Sequence, residues 1–293
     1  MEYTNSGIPV LRKAGAPEGK RTSVHEKDGV CWLTFQLLEK EKWIAHAFST
    51  RLGGVSTGTE SSLNLGFSRE ENRDNVMENF RRFGEAAGMP VSHMVMSYQT
   101  HTPNIRRMSA ADIGKGFFRD RDYADVDGMI TDEKGVCLVT SFADCVPLMA
   151  ADPAHHAIGS AHSGWKGTMA DVGGELIRAM HSAYGTRPED VIAVIGPSIC
   201  QDCYEVSADV IEKAKERYAR REEIWDRLWY TKENGKYQLN LWECCRENFL
   251  GAGVSPEHIQ MPDLCTCCNP QLLFSHRASK GRHGNLAALM EIL

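Results

Sequence analysis

Three short segments of the chain carry side chains of a kind that binds metal: Gln99-Thr100-His101, Ala143-Asp144-Cys145 and Ala161-His162-Ser163-Gly164-Trp165. Two neutral imidazoles and one thiolate are good Zn²⁺ ligands, and a set of three leaves a fourth tetrahedral position open to water or substrate. That is the pattern of a catalytic metal rather than a structural one. Cys145 and His162 each sit where an apolar run gives way to turn residues. Their side chains are therefore expected to point from strand ends into one shared pocket. The same residues permit a second chemistry, with Cys145 as thiolate nucleophile and His162 or His101 as its base, as in a cysteine hydrolase or amidase. Spacing does not separate the two readings; the presence of two histidines rather than one favours metal.

Other groups bear on this site. Asp144, at the end of an apolar run, is costly to place without a use. Asp125-Val126-Asp127-Gly128 reads as a turn with carboxylates at its mouth. After His162, Ser163-Gly164-Trp165-Lys166-Gly167-Thr168 permits close backbone approach and opens a helix, whose N-terminus and Lys166 are candidates to receive an anion. It is not a Walker loop, because the glycine and lysine spacing is wrong. Cys200/Cys203 and Cys265/Cys268 form two pairs at C-x2-C spacing that would suit a closed four-thiolate zinc site. They lie much further apart than in compact zinc ribbons, and the segment between them reads as ordered helices. Buried packing cysteines are the default expectation there.

The elements that must position these groups follow from periodicity. Ile44 to Ser49 is an apolar strand feeding Thr50-Arg51-Leu52-Gly53-Gly54. Val76, Phe80, Phe83 and Ala87 form one helical stripe over 72–88, closed by Gly88-Met89-Pro90. Strands are expected at 94–98, 136–142, 146–151, 157–161 and 192–195, and helices at about 169–184 and 242–250. Residues 208–229 are strongly charged with a narrow stripe of Val210, Ile211, Ala214 and Tyr218, which predicts a solvated surface helix. The end, 281–293, reads as a helix or strand. Residues 1–22 lack periodicity and hold Pro9, Pro17, Gly7, Gly15 and Gly19, so they are expected to form an extended, flexible arm. With no repeat or low-complexity linker, residues 23–293 read as one catalytic domain.

Bulk properties bound the function. The 293 residues are 42% hydrophobic and 25% charged, the composition of a soluble globular protein. A net charge of −6 leaves no basic footprint, so neither nucleic acid nor an anionic membrane surface is expected as partner. No apolar run reaches the roughly 20 residues that cross a bilayer, and no apolar leader begins the chain, so a cytoplasmic location is expected. The ten cysteines are then expected to be reduced, some buried or metal-bound.

The ordered set Phe48-Ser49-Thr50-Arg51 with Gly53-Gly54-Val55-Ser56, Asn64-Leu65-Gly66, Gln99-Thr100-His101, Asp125-Val126-Asp127-Gly128, Ala143-Asp144-Cys145-Val146-Pro147, Ala161 to Gly167, Ile195-Gly196-Pro197-Ser198-Ile199 and Cys203-Tyr204-Glu205-Val206 closely resembles the laccase-domain family. The resemblance runs from about residue 44 to the C-terminus. It implies a single α/β domain of layered mixed sheets flanked by helices, with zinc held at His101, Cys145 and His162. It further implies phosphorolysis of adenosine, inosine, guanosine and methylthioadenosine, and hydrolytic deamination of adenosine to inosine. Purine nucleosides and phosphate would be the only partners, and the protein a monomer or small homo-oligomer. An older description of the family as copper polyphenol oxidoreductases makes Cu an alternative metal. One mononuclear site, however, suits four-electron oxidase chemistry poorly.

Within that resemblance, Asp127 or Asp144 would shuttle the proton to ammonia in deamination. Arg51, with its bidentate fork, would contact phosphate, assisted by Lys166 and the helix near Thr168. Asn64, Gln99 and Arg277 would also contact substrate. The chain departs from the family near its end: where Ser-Tyr-Arg-Arg is usual it has Ser275-His276-Arg277-Ala278, with Arg282 following.

Overall fold

Alternation along the last strand shows how the layers stack. In Leu286–Ile292, the side chains of Leu286, Ala288, Met290 and Ile292 enter one buried cluster, while Ala287 and Leu289 enter another. A strand buried on both faces belongs to an inner layer. The computed structural model describes residues 2–15, 17–69 and 72–293. In it this strand pairs antiparallel with Ile44–Ser49 and with Cys137–Phe142. Val30–Phe35 and Thr22–Lys27 continue the sheet on one side and the parallel strand Met94–Met96 ends it on the other, six strands in all.

A second six-stranded sheet runs in the order Ile259–Gln260, Ile192–Ile195, Val146–Asp152, Ala157–Ser163, Gly128–Thr131, Ile105–Arg107. Its two outermost pairings are parallel and the others antiparallel. The sheets stack face to face: Phe35, Phe48 and Phe142 of the first meet Met149, Ile158 and Val194 of the second in one buried cluster. Each such side chain contributes about 1.5–3 kcal/mol by leaving water. A polar bridge between the Thr140 and Ser160 hydroxyls, 2.9 Å long, crosses this interior.

Helices cover the outer faces. Arg73–Ala87 lays Val76, Phe80 and Phe83 on the first sheet, its N-terminus capped by the Asn72 side chain accepting from the Asp74 amide at 3.0 Å. Gly88, at φ 76°, closes it. Val172–Tyr184 and Leu241–Gly251 cover the second sheet through Leu176, Ile177, Met180 and Phe249. The architecture is therefore an α/β stack of helix, sheet, sheet and helix, as the layered reading implied.

Three elements differ from the sequence reading. The helix expected at about 169–184 is two, Trp165–Met169 and Val172–Tyr184, because Asp171 takes a left-handed conformation (φ 65°) with its carboxylate held by Arg178 and Arg217, both at 2.7 Å. The charged helix stops at Arg217, since Arg221 and Arg227 turn to meet the buried carboxylate of Glu247. Its expected stripe of Val210, Ile211, Ala214 and Tyr218 is nonetheless the buried one. The N-terminal arm is extended and docked: Leu11 donates to Asn269 Oδ1 at 2.7 Å, Arg12 pairs with Asp263 at 2.5 Å, and Val10 is buried.

Candidate metal centre and active-site cavity

Residues 143–145 are the crossing by which the chain leaves strand 137–142 of the first sheet and enters strand 146–152 of the second. Cys145 is thus fixed at the seam between layers. His162 stands near the end of the adjacent strand, opposite Pro147, and His101 lies in the loop that follows Met94–Met96. Asp144 (φ 88°) and His101 (φ 67°) both have left-handed backbones. Such conformations in non-glycine residues cost about 1–3 kcal/mol each and persist only when their surroundings hold them.

For His101 the holding group is Asp127. Its buried carboxylate accepts hydrogen bonds from the amides of Thr100 (2.8 Å), His101 (3.0 Å) and Thr102 (3.0 Å) and from His162 Nδ1–H (2.8 Å). Burial pushes its pKa up, but these donors, His162 foremost, hold it below the usual carboxylate range. The bond at Nδ1 fixes the His162 tautomer and leaves Nε2 as the ligand atom.

The ligand atoms of His101, Cys145 and His162 lie within 4.8 Å of one another, and the two imidazoles stand edge to face with centroids 4.9 Å apart. Burial raises the Cys145 thiol, yet His162 and His101 more than offset it and bring its pKa down to about 6. Burial lowers His162, yet Cys145 and Asp127 bring it up to about 9. A thiolate flanked by two ring nitrogens is a donor set that fits Zn²⁺. The cradle is tight: a Cβ on Gly164 would stand 2.6 Å from His101 Cδ2 and 3.1 Å from Cys145 Sγ. Glycine is required there for the three donors to meet.

All three donors line one cavity of about 740 Å³. Of the other residues singled out in the sequence, Asp144, Gln99 and Arg277 also line it. Asp144 accepts from Thr266 Oγ1 (2.5 Å) and the Arg277 amide (2.7 Å). The Gln99 amide is committed to the Ser141 backbone, accepting its N–H at 2.7 Å and donating to its carbonyl at 2.8 Å.

Four expected site residues lie off the cavity wall. Asp127 sits behind the histidines, as described. Arg51 donates to the carbonyls of Ser61 (2.6 and 3.0 Å) and Pro270 (2.8 Å) and stacks on Phe274, so its fork pins backbone rather than facing the cavity. Asn64 is buried and accepts from the amides of Gly66 and Asn285, both at 2.9 Å. Lys166 is exposed and lines a separate surface depression with Met169 and Glu216.

The cavity brings cations that the sequence did not mark, Arg69 and Arg121, together with His276 and His283. Arg121 lies in the alternating charges of 119–122, which carry no periodic signal. His276 and His283 form a pair: His283 Nδ1–H donates to the Gly284 carbonyl at 2.8 Å, and its Nε2 lies 3.0 Å from His276 Nδ1. Burial keeps His283 neutral, so its Nε2 accepts from His276 Nδ1–H. Elsewhere, Cys200, Cys203, Cys265 and Cys268, expected as packing cysteines, converge with their sulfurs within 4.8 Å of one another.

Comparison with known proteins gives matches along most of the chain. The family model described as multi-copper polyphenol oxidoreductase laccase matches residues 45–293. The chain is 34% identical over 246 residues to purine nucleoside phosphorylase YlmD of Geobacillus stearothermophilus, covering 83% of this chain and 88% of that one. It is 30% identical over 239 residues to purine nucleoside phosphorylase YfiH of Escherichia coli, covering 82% and 90%. The crystal structure of Bacillus licheniformis hypothetical protein YfiH superposes with a TM-score of 0.85 at 30% identity, over 92% of this chain and 99% of that one.

Proposed function

The chain belongs to the laccase family, and on that premise we propose that it is a zinc-dependent purine nucleoside phosphorylase that also deaminates adenosine to inosine. Adenosine, inosine, guanosine and methylthioadenosine are its proposed substrates. The observation that carries the reading is the three-donor centre of His101, Cys145 and His162 on the wall of a cavity of about 740 Å³, a volume of the size that takes small organic ligands.

Bound there, zinc would supply Lewis acidity that polarises a purine atom or activates water. The chain's own residues do the rest. Tyr98, Phe67 and Tyr204 offer aromatic surfaces for the purine and ribose. Arg69, Arg121 and Arg277 place positive charge on the same wall, Arg121 and Arg277 also donating to backbone carbonyls of Ser97 and of Cys203 and Glu205, and by that position they are the proposed phosphate contacts in place of Arg51. In phosphorolysis a phosphate oxygen bonds to C1′ of the ribose, the C1′–N9 bond breaks, and the departing purine takes its electron pair and a proton. Asp144 is the carboxylate on the cavity wall and so the one placed to move that proton, whereas Asp127 lies behind the histidines, off that wall.

One observation favours a second reading. Cys145, His162 and Asp127 stand in the order of nucleophile, base and orienting acid, as a cysteine hydrolase would need. It leaves His101 without a role, and so ranks second. Copper polyphenol oxidation ranks third: among the described residues the other donor cluster is all thiolate, not a set suited to Cu²⁺. Among the described residues no helix is long and apolar enough to cross a membrane, and we place the protein in the cytoplasm with its nucleoside substrates. The test is adenosine turnover by zinc-analysed protein with and without phosphate, separating adenine, inosine and hypoxanthine by chromatography. Phosphate-dependent adenine supports phosphorolysis, and phosphate-independent inosine supports deamination. Zinc-loaded protein yielding neither overturns the proposal in favour of the hydrolase.

A further inference from the structure

The four sulfurs of Cys200, Cys203, Cys265 and Cys268 lie outside the cavity described above, and the proposed chemistry makes no use of them. We propose that they form a second, structural zinc site, closed by four thiolates, which fastens together three segments of the chain.

The geometry is that of a tetrahedral cage. With a Zn–S bond of about 2.3 Å, the sulfurs of a tetrathiolate stand about 3.8 Å apart. Here Cys203 Sγ and Cys268 Sγ are 3.6 Å apart, and all four sulfurs fall within 4.8 Å. Each pair has C-x2-C spacing, which lets one turn present two sulfurs to the same point. The backbone N–H of Cys200 donates to Cys265 Sγ at 3.2 Å, a bond that stabilises a thiolate. Cys267 is not one of the four; it packs against the apolar cluster under the helices.

Topology explains why pairs so distant in sequence meet. Strands 192–195 and 259–260 are parallel neighbours, with Ala193 opposite Ile259 and Val194 opposite Gln260. Both segments therefore leave the sheet at the same end, and a bridge of Ser198 with Cys265 continues the pairing. Two buried cysteines, Cys200 and Cys265, form the inner half of the cage, and the half-buried Cys203 and Cys268 the outer half. A zinc tetrathiolate carries net negative charge. Lys13 answers it, bonded to Asp202 at 3.0 Å and in electrostatic contact with Cys200 and Cys268. The Lys13 amide donates in turn to the Asp263 carbonyl at 2.8 Å, which ties the N-terminal arm to the cage.

The cage also backs the cavity. Thr266, between two of its cysteines, donates to Asp144 Oδ1 at 2.5 Å, and the Ile199 amide donates to the Asp144 carbonyl at 3.0 Å. Tyr204, next to Cys203, is part of the cavity wall. Metal in the cage thus steadies the wall that holds Asp144 without touching substrate.

The experiment is zinc per chain, measured on reduced full-length protein for the wild type and for His101→Ala, which opens the first centre only. The proposal expects two zinc ions in the wild type and one remaining in His101→Ala. Cobalt put into the His101→Ala protein should then give the intense thiolate charge-transfer bands of a tetrahedral all-sulfur site. A second variant, Cys203→Ser with Cys268→Ser, should keep at most one zinc and lose protection of residues 10–13 in hydrogen exchange. If that variant does not fold, the His101→Ala result decides alone. A folded His101→Ala protein without zinc overturns the proposal. So does an intact mass showing disulfides among the four cysteines, or iron in place of zinc.

Discussion

Among the described residues two clusters of soft ligands stand out, and they differ in how the chain reaches them. His101, Cys145 and His162 come from a loop, a sheet crossing and a strand end, and they converge on a cavity. Cys200, Cys203, Cys265 and Cys268 come from two parallel-fed turns and converge on one another. Three donors facing a void leave room for chemistry; four donors facing inward leave none. The contrast extends to their supports. Asp127 and two left-handed residues hold the first centre under strain, whereas the second rests on ordinary turns and a continuation of sheet pairing. Strain at the open site and relaxation at the closed one is what catalytic and structural roles require.

The sharpest way to break this contrast is Gly164→Ala. The new methyl would displace His101, and phosphorolysis is expected to fall to background with loss of the open-site zinc alone. Metal analysis beside the rate checks it; retained activity would mean the three donors need not meet. Asp127→Asn is next. It keeps the shape but weakens the bond that orients His162, and a loss of about 10–100-fold in activity or metal affinity is expected, typical of a residue behind a metal ligand. Zinc titration with the competing chelator held fixed reads the change.

Smaller effects sharpen the picture of the cavity. Arg121→Ala should raise the KM for phosphate about tenfold or more while the KM for nucleoside moves little, as expected for one charged hydrogen bond worth roughly 1.5–3 kcal/mol. An unchanged phosphate KM would remove Arg121 from the anion site. Lys166→Ala, at an exposed position off the cavity, should leave kcat/KM within about twofold, as surface substitutions do.

Much of this was legible in the chain. Val76, Phe80 and Phe83 announced their helix because one stripe had to be buried, and strands 44–49, 137–142, 146–152 and 157–163 announced themselves by apolar runs ending in turns. Those run ends are why Cys145 and His162 were readable as partners. The hairpin of 22–27 and 30–35, missing from the strands expected above, also carries a signal, Asp28-Gly29 with φ of 52° and 78° between alternating residues. Other features had no local mark. Arg51 has the side chain that phosphate wants, but only the tertiary fold delivers Ser61 and Pro270 carbonyls to it. The four cysteines looked too far apart because sequence distance does not show that strands 192–195 and 259–260 lie side by side. Arg69 and Arg121 reach the cavity from loops, where no period predicts direction.

Phosphorolysis and deamination are proposed to share the open centre. The most direct measurement is the rate of both reactions in Cys145→Ala, with zinc counted in the same preparation. Adenine formation with phosphate and inosine formation without it are expected to disappear together, along with one zinc per chain. Phosphorolysis at the wild-type rate in a variant that has lost that zinc would contradict it.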